Sequence, residues 1–165
     1  MIPANQRCLT QALSMLEALS DDQYAVARGD WSAVGAQYRH VLEHYQCLLE
    51  GVESARVDYD ARRRDETIER SRHRAREVTI EVIGALAELD RLSEDRPLLV
   101  QMQCDSKRSG PMWSRSSLGR ELQFLVSHTV HHFALIKMLV AQQSVRLDPE
   151  FGIAPSTLSH ARAVR

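Results

Sequence analysis

Ser127-His128-Thr129-Val130-His131-His132-Phe133 lies inside the last long apolar-periodic stretch of the chain, and its reading decides the fold. Leu118, Leu122, Leu125, Val126, Phe133, Ile136, Leu139 and Val140 recur at the three- and four-residue spacing of an amphipathic helix, from Ser116 or Ser117 to about Gln143. On that helix His128 and His132 stand one above the other. Two imidazoles so placed can hold one divalent ion, each nitrogen about 2.0–2.1 Å from it. In projection the stripe centres near Leu118, Ile136 and Leu122. The histidine pair falls to one side of that centre, at the rim of a cleft, and His131 turns further toward solvent.

Three more helices are expected upstream. Asn5 or Thr10 opens the first, which carries Leu9, Leu13, Leu16 and Leu19 and is broken by Ser20-Asp21-Asp22. After Arg28-Gly29-Asp30 and Trp31, Ser32 is the N-cap of a second, which runs to about Glu50 with Gly51 as C-cap. The third spans about Glu66 to Leu92, with Val78, Val82, Leu86 and Leu89 as its stripe. Its nearly all-charged first half is expected to protrude or to be solvated. Pro97 to Cys104 reads as an extended segment that Asp105 to Trp113 returns as a hairpin, and Leu147 to Pro155 as ordered coil around Phe151 and Ile153. The expected class is therefore all-α, a four-helix bundle with a short hairpin between helices three and four, in a single domain over residues 1–165.

Composition narrows the function classes. Apolar residues make up 44% of the chain, too many for a disordered one. A formal net charge of −1 with mixed signs gives no field for nucleic acid or an anionic membrane surface. No run matches a membrane span of about 18 apolar residues. Cys8, Cys47 and Cys104 are odd in number and form no CxxC pair, and Met1 to Gln6 is polar, with no signal-peptide core. A reducing, cytoplasmic setting is the expectation.

A lone histidine at a core edge is ordinarily a hydrogen-bonded one. Five on two helices, His40, His44, His128, His131 and His132, are harder to satisfy singly, since each unmet buried group costs about 1–3 kcal/mol. A shared metal removes the difficulty, and facing helices of a bundle build such sites. Helix two offers His40 or His44 as the third ligand, with His44 nearer the centre of its stripe and His40 nearer the edge. Glu43 and Glu121 are candidates for orienting a ligand or moving a proton, against their ordinary state as solvated surface groups.

Val34-Gly35-Ala36-Gln37-Tyr38-Arg39-His40-Val41-Leu42-Glu43-His44-Tyr45, with Ser127 to Ala134 downstream, resembles the DinB-like family of damage-inducible helical bundles. The resemblance extends to Val57-Asp58-Tyr59-Asp60-Ala61-Arg62-Arg63-Arg64-Asp65 and to Phe151 to Thr157. It implies a divalent metal, zinc or nickel, held by His40, His128 and His132. It departs from close relatives at Gln37, where they often carry histidine. It also implies a homodimer and either of two activities on a small-molecule substrate. One is a thiol S-transferase using a low-molecular-weight thiol, and the other a metal-dependent hydrolase. Arg62, Arg63 and Arg64 could then meet an anionic group of the thiol or substrate, or simply form a solvated loop or a dimer contact. The alternative is a non-catalytic dimeric stress-response or binding module with a structural metal or none.

Overall fold

The computed structural model describes residues 1–27, 29, 32–107 and 110–163. Trp31 and the Arg28 and Asp30 of the expected connection lie outside them. Among the described residues the protein is mostly helical, with seven α-helices and a three-stranded sheet. In order these are α1 (Ile2–Ala18), α2 (Asp21–Ala25), α3 (Val34–Gly51), β1 (Arg56–Asp58), α4 (Glu66–Arg70), α5 (Arg72–Glu88), β2 (Pro97–Gln101), β3 (Trp113–Ser117), α6 (Leu118–Ala141) and α7 (Pro155–Ala163). The helical class is as expected, but the architecture holds more than four helices and one hairpin.

The four long helices each touch two others. α3 packs on α5 and α6, and α1 packs on the same two. Their apolar stripes meet in one core, in which Leu9, Leu16, Tyr38, Leu42, Tyr45, Leu86, Leu122, Leu125 and Ile136 are fully buried. α6 starts where the sequence placed it, because the Ser117 hydroxyl accepts from Arg120 N–H in the first turn. α1 starts earlier than Asn5, at Ile2, with Pro3 in its first turn, where a missing N–H is tolerated. Asn5 is instead fully buried inside the helix and donates to the Leu122 carbonyl at 3.1 Å. Ser20 does not merely stop α1. Its side chain and that of Gln23 form a capping box that opens α2 and seats Tyr24 in the core.

Helix two begins at Val34 and its cap is Ala33, not Ser32, whose hydroxyl accepts from Gln37 Nε2 at 2.7 Å. Gly51 is its last residue, with Val52 as the cap. A Cβ at Gly51 would sit 2.3 Å from the Arg56 carbonyl, so glycine is what lets β1 run against the helix end.

Helix three is broken. Ser71 leaves helical geometry at φ −123°, ψ 109° and its hydroxyl caps α5. The charged first half is solvated at Glu66, Arg70, Arg76 and Glu77, which are exposed, but it does not project. Ile68 is buried, Glu69 pairs with Arg39 at 2.7 Å, and Arg72 donates to the Leu16 carbonyl at 2.8 Å.

Pro97–Gln101 is extended as expected, and its alternate burial of Leu98 and Val100 follows the strand period of two. The returning strand begins at Trp113, where the expected hairpin ended, with Pro97 opposite Ser117 and Gln101 opposite Trp113. β1, which the sequence did not announce, adds in parallel on the other edge, with Arg56 opposite Leu99. In the tail Phe151 stacks on Phe133 at 4.5 Å between centroids, and α7 replaces the end of the expected coil.

By length and composition α6 is apolar enough to cross a membrane, with a mean hydropathy of 1.4, so the expectation of no such stretch does not hold by that measure. It buries Leu118, Leu122, Leu125, Phe133 and Ile136 against its neighbours, as a core helix also does.

Candidate metal centre

α3 and α6 run side by side with opposite sense. Gln37 meets His132, and Tyr45 meets Thr129. That register brings His40 of α3 between His128 and His132 of α6. Their ring centroids form a near-regular triangle of 5.0, 4.7 and 4.5 Å, and one ring nitrogen from each lies within 4.8 Å of the others. His40 Nε2 and His128 Nε2 are 3.2 Å apart. Two ligand nitrogens at 2.0–2.1 Å from a tetrahedral ion stand about 3.3 Å apart, so this spacing fits a shared metal.

Protonation favours the same chemistry. Burial pushes His40, His44 and His132 down to about 4 and His128 lower still. The neighbouring imidazoles come next at His40, His128 and His132. At His44 the bond to the His40 carbonyl opposes the shift, and the Arg62 guanidinium outweighs the imidazoles. At neutral pH all four are uncharged, with lone pairs to offer. His132 donates Nδ1–H to Gln37 Oε1 at 2.7 Å, which leaves Nε2 as the free lone pair. His128 Nδ1 is buried without such a partner, and its ring is held by packing against His44 and Phe124 at 4.1 and 5.5 Å.

His44 is nearly inaccessible, as its place in the stripe suggested. Its nitrogens are nevertheless spent. Nδ1 donates to the His40 carbonyl at 2.7 Å, and Nε2 accepts from Arg62 at 3.3 Å. Its ring stacks on Tyr59 at 5.4 Å. His131 is exposed beside His132.

Both glutamates are buried rather than solvated. Glu43 Oε1 accepts from Asp65 N–H at 2.7 Å, and Glu121 accepts from the Tyr59 hydroxyl at 2.9 Å and from Ser116. Together with Asp60, which accepts from Gln103 N–H at 2.7 Å, they fasten residues 59–65 to α3, α6 and the strand hairpin. This fastening carries Arg62 to His44. Arg63 pairs with Glu50 at 2.7 Å, and Arg64 is exposed with φ 52°, so the three arginines go to three different places.

Sequence reasoning marked Gln37 only as a departure. Its position three residues before His40 was the available signal for a role at the site. Arg62 stood out only with Arg63 and Arg64 as a basic connection, not as a partner of His44, and Tyr59 and Phe124 carried no comparable local signal.

A helical chain with three histidines gathered between two facing helices is the class that fold and site define. The profile of the DinB superfamily matches residues 4–136, and the chain belongs to that family. A protein named FK506-binding protein 5, from Rhizopus delemar, is 34% identical over 106 residues, or 64% of this chain. The chain spans only 28% of that relative's length. No solved structure matches the chain.

Proposed function

We propose that the protein is a metal-dependent enzyme whose His40, His128 and His132 hold one divalent ion, zinc or nickel, on a bundle formed by α1, α3, α5 and α6 within one domain. The observation that carries this is the triangle of neutral imidazoles with one edge at 3.2 Å between nitrogens. Three protein ligands and a half-exposed rim suit a site with an open position. An ion there supplies Lewis acidity, lowering the pKa of a bound water or thiol. The chain's part is to keep the rings neutral by burial and to aim His132 through Gln37. The reaction is thiol transfer using a low-molecular-weight thiol, or hydrolysis. A cytoplasmic homodimer is part of the proposal and is checked by light scattering and fractionation.

A non-catalytic module with a structural metal is the second reading. It is favoured by one observation: Glu43 and Glu121 accept from Asp65, Tyr59 and Ser116, so both buried carboxylates are already engaged in holding the fold together.

Elemental analysis tests the site. Native protein should carry about one divalent ion per chain, and a His128→Ala, His132→Ala variant almost none. Equal metal in both sinks the assignment.

A further inference from the structure

Four buried or half-buried histidines meet between α3 and α6, one more than the proposed site uses. His44 stands one turn beyond His40 on α3, its ring centroid 4.4 Å from that of His40 and 4.1 Å from that of His128. These separations are shorter than the 4.7 and 5.0 Å that join His40 to His132 and to His128. By ring position alone His44 ranks with the ligands.

Its nitrogens set it apart. Nδ1 lies 2.7 Å from the His40 carbonyl, which can only accept, so Nδ1 carries the proton and Nε2 the lone pair. That lone pair is met by Arg62 Nη1 at 3.3 Å. The same Nη1 donates to the Tyr59 carbonyl at 2.7 Å, which fixes the guanidinium in place. A guanidinium has donors only and keeps its protons, so it covers the lone pair at any working pH. His132 shows the opposite arrangement, with its Nδ1–H spent on Gln37 and its Nε2 left free. Gln37 presents a ligand, and Arg62 withholds one.

We propose that Arg62 is a positioning residue that keeps His44 off the metal and so holds the centre at three protein ligands. The inference rests on the metal reading above. A fourth imidazole closes a tetrahedral site in the manner of a structural centre, whereas a catalytic one keeps a position for water or substrate. The chain thus carries the means of closing its own site, and one hydrogen bond from the loop between β1 and α4 prevents it. Once uncovered, Nε2 of this nearly inaccessible ring lacks a partner, and the ion is the partner within reach.

The test uses cobalt-substituted protein, with azide as the probe of the open position. Native protein should show azide-dependent changes in its cobalt absorption bands. Arg62→Ala should have more intense bands, as a closed tetrahedral site gives, and should bind azide at least about tenfold more weakly. Its zinc affinity in chelator competition should rise, whereas loss of an ordinary outer partner lowers affinity about 10–100-fold. Arg62→Ala combined with His44→Phe should return azide binding and the cobalt bands to native values, because the ring that closed the site is gone. In metal-free native protein, nitrogen NMR should find His44 protonated at Nδ1.

Azide binding by Arg62→Ala equal to native overturns the proposal. So does a loss that persists in the double variant, since the loop then acts on the site by another route. Weaker zinc binding in Arg62→Ala, or a His44 protonated at Nε2, overturns it as well. Each of these leaves the metal reading standing where native protein carries its ion. Native protein that takes up neither zinc nor cobalt overturns that reading, and the proposal falls with it.

Discussion

Gln37 Oε1 accepts a hydrogen bond from His132 Nδ1 at 2.7 Å, while Gln37 Nε2 donates to Ser32 Oγ at the same distance. One side chain thus fixes which nitrogen of His132 faces His40 and His128, and is itself held from the other side. Gln37→Leu removes that hold without disturbing the core. Partners of this kind typically contribute 10–100-fold in metal affinity. Chelator competition should show a loss of about that size, with an unchanged melting temperature in the metal-free protein.

The Tyr45 hydroxyl donates to Asn5 Oδ1 at 3.0 Å and accepts from Thr129 Oγ1 at 3.1 Å, joining α3, α1 and α6 in a buried network. Tyr45→Phe leaves Asn5 and Thr129 each short of a partner. The expected cost is about 1–3 kcal/mol in urea unfolding. Because Thr129 adjoins His128, a weaker metal complex should accompany it.

Gly35 lies where α3 crosses α4. A Cβ there would stand 2.0 Å from the Glu69 carbonyl oxygen and 2.9 Å from the Tyr24 ring, and the first of these is backbone that must shift. Gly35→Ala should destabilise by about 3 kcal/mol, at the upper end for overpacking, despite alanine's better helix propensity. A gain in the urea midpoint would show that α4 is free to move.

Metal-stripped protein should lose stability in mild acid. Burial holds His40, His44 and His132 at about 4, with His128 lower, against 6.5 for the free side chain. As pH falls through 6.5 the unfolded chain takes up protons that the folded chain refuses, so the equilibrium moves toward unfolding. The loss begins near pH 6.5 and continues to about 4. Urea midpoints at pH 7.5, 6 and 5 should fall in that order, and a His44→Phe variant should fall less steeply.

What could be read in advance was what is local. The Ser117 cap, the stripe of α6 and the four-residue spacing of His128 and His132 need only neighbouring residues to be recognised. The wheel also ranked His44 deeper than His40, and its burial agrees. A wheel reports depth, however, not where ring nitrogens point. His44 spends both on the His40 carbonyl and Arg62, and the second partner comes from a loop. Ser71 looked like any polar helix position, because its cap role depends on a backbone turn that no spacing marks. α7 buries none of its residues, so no stripe marked it out.

β1 pairs with β2 across more than forty residues of chain, Arg56 opposite Leu99, and the segment following β1 is what delivers Arg62 to His44. Closing so long a loop costs entropy before any ladder bond forms, so such pairings tend to come late in folding. The pair His128 and His132 on α6 needs no such closure, whereas His40 reaches His128 across 88 residues and Arg62 arrives with its loop. The centre should therefore assemble in two stages, the α6 pair first, His40 and the guanidinium afterwards. Pulsed hydrogen exchange would show this order as protection of the Phe133 amide before that of Leu99, which donates to the Ala55 carbonyl.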